Sequence, residues 1–173
     1  MNRLLSGSRF RTATVRSAVA GAAVFAWVGA AFAQGGALQG VWGVVTQERN
    51  CTTNALVGTP TRAVITYYGD GTVSESRYLP VFAIGQLSDG HGIWRPDGGS
   101  TFSGRVITMV QFETAAGTPP GSPGFQAGWQ VATQTITMTG PDSFTMTGSS
   151  QFFNLNREAY RVGCASRVGE RFK

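Results

Sequence analysis

Residues 143–153 read SFTMTGSSQFF. In an extended chain Phe144, Met146, Gly148, Ser150 and Phe152 fall on one side, and Thr145, Thr147, Ser149 and Gln151 on the other. The period is two, with the large apolar side chains on one face only, which is the signature of a strand between a core and water. Residues 101–113 repeat the pattern. Phe102, Gly104, Val106, Thr108, Val110 and Phe112 oppose Ser103, Arg105, Gln111 and Glu113. These two stretches set the fold class as all-β.

Working outward, eight β-like segments can be placed: 38–47, 62–68, 72–79, 92–95, 101–113, 128–139, 143–153 and 157–167. Turn chemistry separates them. Gly69-Asp70-Gly71 is a hairpin signal, and Pro96-Asp97-Gly98-Gly99 and Gly140-Pro141-Asp142 are turns by composition. In the sixth segment Thr133, Thr135, Thr137 and Thr139 should face water, with Ala132, Gln134, Ile136 and Met138 inward. Eight sequential strands joined mostly by tight turns predict an antiparallel up-and-down meander. Closing it into one eight-stranded barrel removes the exposed edges.

The connections are unequal. Those after the first, third and fifth segments, 48–61, 80–91 and 114–127, are long, and with 154–156 they fall at one end. The short turns fall at the other. A barrel with a tight floor and a loose rim is the shape of a one-mouthed cup. Val81-Phe82-Ala83-Ile84 is too apolar for a plain solvated loop and reads either as a lid over the mouth or as a cap on a solid core.

Residues 1–33 read as a cleaved signal peptide. Arg3, Arg9, Arg11 and Arg16 precede an uncharged run from Ser17 to Ala33, which ends in Ala31-Phe32-Ala33. The run is shorter than the roughly 20 residues of a spanning helix. The domain is then 34–173, exported to a periplasm or beyond. The whole chain has 14 Lys and Arg against 9 Asp and Glu. With four of those arginines in the leader, the domain keeps ten bases against nine acids. No basic stripe remains, and so no case for nucleic acid.

Cys51 and Cys164 are the two cysteines. An even pair in an oxidising compartment is most simply one disulfide. It would close a loop of about 113 residues, for which chain-entropy models give up to about 4–5 kcal/mol. Pairing the first strand with the last would bring the two together. Two buried thiols are the alternative. No metal is expected, since there is a single His and no Cys-x-x-Cys.

Gly40-Val41-Trp42, in the first strand of the domain, resembles the opening of the lipocalin and wider calycin families, in exported bacterial-type form. The resemblance implies that Gly40 and Trp42 close the barrel floor and that an Arg near the last strand packs on the indole; Arg161 or Arg167 would fill that role. The resemblance covers motif and layout. There is no Thr-Asp-Tyr turn, and too few residues follow Arg167 for the families' C-terminal helix. Barrels like avidin, or like bacterial secreted protease inhibitors, share the layout, and no ligand residues are carried over.

Catalytic motifs are absent: there is no G-x-S-x-G, H-E-x-x-H or P-loop. His91 sits in turn-like Asp89-Gly90-His91-Gly92 without an evident partner, and Glu48, Glu75 and Glu113 read as surface charges. The aromatic residues are the better guide. Trp94, Phe82, Tyr68, Phe112 and Trp129 are the candidates to line an interior site. The expected function is a lipocalin-like barrel binding a small, largely apolar ligand, without a cofactor. The alternatives are a non-enzymatic interaction module with a filled core, and then a cofactor-free isomerase- or cyclase-type enzyme. Interior volume and the polarity of its lining distinguish the three.

Overall fold

The computed structural model describes residues 36–78, 87–111 and 128–173. The expected leader, and with it the expected cleavage after Ala33, lies outside them. So do the Val81–Ile84 stretch and Phe112.

Eight strands follow in order: β1 (Gly40–Arg49), β2 (Leu56–Tyr67), β3 (Thr72–Tyr78), β4 (Leu87–Gly98), β5 (Thr101–Val110), β6 (Gly128–Gly140), β7 (Ser143–Asn154) and β8 (Ala159–Arg171). Each pairs antiparallel with the next, and β8 returns to β1 to close one up-and-down barrel. Closure runs from Trp42 opposite Arg171 to Arg49 opposite Cys164. The fold is lipocalin-like in form, as the strand count predicts.

The period-two faces hold. Phe144, Met146 and Phe152 are buried, and Thr145 and Thr147 are exposed. On β6, Ala132, Gln134 and Ile136 are buried while Thr133, Thr135 and Thr139 face water.

Three strands depart from the sequence reading by the most at one end or both. β2 begins at Leu56, because Val57 and Leu56 pair with Glu48 and Arg49 beyond a register shift at Thr46/Glu48. β4 runs from Leu87 to Gly98 and takes in the stretch read as a turn around His91. His91 pairs with Ser74 and Ile107 and points outward. Pro96 also lies in that strand, tolerated next to a register shift, while the reversal itself uses Gly98 and Gly99 at positive φ. β8 extends to Arg171, so the last strand has four more residues with which to close the floor.

The interior divides into two halves by side-chain size. The lower half is filled. Trp42 and Phe144 rings lie 4.9 Å apart, Tyr67 and Trp94 5.8 Å, and Trp94 and Phe102 5.8 Å. Leu38, from the single helical turn at residues 36–38, plugs the bottom and accepts the Trp42 indole N–H at 2.9 Å. Arg171 covers the outside of that plug. Its guanidinium stands 4.3 Å from the Trp42 ring and donates to the carbonyls of Gln39, Ala37 and Pro141.

The Arg on the indole is therefore Arg171, not Arg161 or Arg167. Along an alternating strand Arg167 faces inward two turns of the pleat above the floor, and Arg161 lies at the rim over Phe152, 4.7 Å from its centroid. Only Arg171 is opposite Trp42 in register. At the rim the expected disulfide is present, with Cys51 and Cys164 Cα atoms 5.2 Å apart.

Candidate functional site

Above the aromatic floor the inward positions change character. β6 to β8 contribute Ala132, Gly148, Ser150, Gly163 and Ala165, which are too small to fill the barrel. A cavity of about 80 Å3 remains. Its wall is mixed: Thr46 and Glu48 from β1, Arg77 from β3, Gln130 and Gln134 from β6, and Arg161 and Arg167 from β8 stand beside Met146 and Phe152 from β7.

Glu75 anchors the base of this half. It is 2% exposed, which corrects its reading as a surface charge: Val73, Glu75 and Arg77 share the inward face of β3. Two guanidinium groups converge on one carboxylate oxygen, Arg167 Nη1 at 2.8 Å and Arg77 Nε at 3.3 Å from Oε1. Arg77 also donates to Thr108 Oγ1 at 2.6 Å and to Gln130 Oε1 at 3.1 Å. Burial pushes the Arg77 pKa below its ordinary value and Arg167 adds to the fall, while Glu75 opposes it. An arginine stays protonated in any such setting.

Tyr67 marks the boundary between the halves. Burial raises its phenol well above the usual tyrosine range; Arg167 partly offsets this, and Glu75 adds to it. The hydroxyl stays neutral. Among the described residues Tyr67 Oη, Thr46 Oγ1 and Gln134 Nε2 are buried without a hydrogen-bond partner. Two of these three, Thr46 and Gln134, line the cavity. A buried polar atom left unpaired costs about 1–3 kcal/mol.

The sequence-expected lining falls elsewhere. Trp94 is buried in the floor, its indole N–H donating to Tyr68 O at 3.0 Å. Tyr68 is exposed at the floor turn, with its hydroxyl 3.3 Å from Ser74 Oγ. Trp129 occupies an outward position of β6 and stacks on Phe153, centroids 6.0 Å apart. Phe82 and Phe112 lie outside the described residues. Arg161 and Arg167, expected on the floor, line the cavity instead.

Glu75, Arg77, Gln130 and Thr46 have no counterpart among the sequence candidates, although a signal for them exists. Strict alternation from Val44, Val73 or Ala132 puts each of them on the inward face.

Among the described residues no group of three or more His, Cys, Asp or Glu could hold a metal ion, and no helix is long and apolar enough to cross a membrane. No protein-family model and no curated protein matches the chain.

Proposed function

We propose that this chain is an exported, lipocalin-like carrier that holds a small ligand in the upper half of its barrel. The observation that supports it best is the cavity above a filled floor, with Arg77, Arg167, Gln130, Gln134 and Thr46 brought together in its lining. A barrel serving only as a rigid scaffold gains nothing from gathering charged side chains around an unfilled space. Export accords with the Arg-rich, then apolar, residues 1–33 and with the Cys51–Cys164 disulfide, a bond that persists in oxidising compartments.

The part of the ligand that enters is small and carries a polar group to meet the charged side of the wall. Pockets for drug-sized ligands measure roughly 300–1,000 Å3, against about 80 Å3 for this cavity. Of the rings that suggest an apolar ligand, Trp94 fills the floor, Trp129 stacks on the outer face and Tyr68 is exposed at a turn.

A specific observation favours the interaction module as the second reading. Val45 and Val168 sit opposite one another on β1 and β8, both outward and exposed, with exposed Val64 and Phe172 nearby on the wall of one outer groove.

A thermal-shift screen separates the two. A library of small polar and apolar compounds is tested on the wild-type protein and on Ala165→Leu, whose larger side chain fills the cavity. The carrier reading predicts compounds that raise the wild-type melting temperature and leave the variant unchanged. If no compound acts on the wild type at about 1 mM, a weak limit on the affinity scale, the interaction module becomes the better reading.

A further inference from the structure

We infer that the ligand of this cavity carries an oxyanion, a carboxylate or a phosphate, bound beside Arg77 and Arg167. The inference rests on the carrier reading and adds the chemical class. It starts from a charge imbalance. Two largely buried arginines, 11% and 8% exposed at the side chain, share the carboxylate of Glu75. Among the described residues this buried set retains one net positive charge, and an ion taken out of water costs several kcal/mol unless it is paired.

A structural ion pair does not need the second guanidinium. One arginine with Glu75 is neutral and would fasten β3 to its neighbour. The second makes the site electropositive, with Gln130 and Thr108 fixing Arg77 in place by accepting its hydrogens.

The unpaired groups have the matching polarity. Gln134 Nε2 is a donor, and the Thr46 hydroxyl has a hydrogen to give. Donors and an excess cation around one small space complement a group that only accepts, and a charged acceptor makes these hydrogen bonds about twice as strong as a neutral one. The size also agrees. A space of about 80 Å3 takes a head group, whereas the Trp42, Tyr67 and Phe144 rings close the path toward the floor. Any remainder of the ligand must point to the rim.

Isothermal titration with acetate, inorganic phosphate and acetamide, at matched ionic strength, tests this on the wild type, Thr46→Val and Arg77→Gln. Acetamide has the shape of acetate without its charge. The expected result is binding of at least one of the two anions, with acetamide weaker by tenfold or more. The preferred anion identifies the head group. Arg77→Gln should abolish that binding. Thr46→Val should weaken it about tenfold, the usual cost of a hydrogen bond to a charged group, while its melting temperature holds or rises because an unpaired hydroxyl has been removed. That opposition keeps the test decisive if Arg77→Gln fails to fold. Equal binding of acetamide overturns the inference and leaves the carrier reading standing. So does failure of both anions when the library above has yielded a cavity ligand. Failure of the anions together with the library overturns both.

Discussion

Arg171 performs at the floor what a small hydrophobic core cannot do alone. It lies on the Trp42 face, satisfies carbonyls from the chain before β1 and from the β6–β7 turn, and pairs with Asp142 at 3.1 Å. Arg171→Ala should cost about 2 kcal/mol from the lost cation–π contact and hydrogen bonds. For a domain of this size that is a fall of about 4–8 °C in melting temperature, readable by circular dichroism. An unchanged melting temperature would remove Arg171 from the account of closure.

Asp142 adds a pH signature. The hydrogen bond from Lys173, then that from Arg171, hold its carboxyl below the usual aspartate range. A folded-state pKa below the unfolded one contributes stability above about pH 4 that is lost as the pH falls through the folded value. Melting temperature should therefore drop more steeply below pH 4 in the wild type than in Asp142→Asn.

Gly169 is a packing constraint rather than a turn. A Cβ there would stand 2.2 Å from the Phe144 ring, which is fully buried against Trp42. Gly169→Ala should cost about 1–3 kcal/mol by overpacking, whereas Gly43→Ala, whose Cβ would meet nothing closer than 3.9 Å, should lose little. Comparable denaturant midpoints for the two variants would contradict the packing described.

At the scale of the element, the disulfide and the β1–β8 seam are two fastenings of one closure. Cys164 lies opposite Arg49, and Arg49 Nε donates to Ser166 Oγ at 2.7 Å across the same seam. Replacing both cysteines with serine should cost about 2–5 kcal/mol and leave the floor end of β8 paired, since Arg171 holds it independently. Hydrogen exchange should therefore accelerate for the amides around Ser166 before those around Val168 and Arg171. Uniform acceleration along β8 would show that the two fastenings are one.

Strand identity was legible in the sequence wherever alternation ran unbroken, as in β5, β6 and β7. It failed where pairing overrides composition. Gly58 and Pro60 keep the chain from Leu56 to Thr61 from reading as a strand, yet β1 continues past Thr46 and recruits it. Asp89-Gly90-His91-Gly92 reads as a turn, but its glycines are where β4 presses on β5: a Cβ at Gly92 would stand 2.0 Å from Arg105 O. The site was less legible than the fold. Aromatic count points to an apolar interior throughout, whereas Trp42, Tyr67, Trp94, Phe102 and Phe144 gather in the floor. The polar lining becomes visible only when Glu75, Arg77 and Gln134 are assigned faces by the same alternation that placed Val73 and Ile136.

The whole barrel divides into a sealed apolar floor and an upper chamber, the proposed ligand site. Nuclear magnetic resonance reads both halves in one titration. The side-chain amide of Gln134 and the Arg77 Nε–H report on the chamber, the indole N–H groups of Trp42 and Trp94 on the floor, and the amides of Val45 and Val168 on the outer seam. With the library compound that most raises the melting temperature, the account predicts saturable shifts at Gln134 and Arg77. Trp42, Trp94, Val45 and Val168 should stay near their starting positions. Shifts at the floor indoles or along the seam, with Gln134 unmoved, would contradict it.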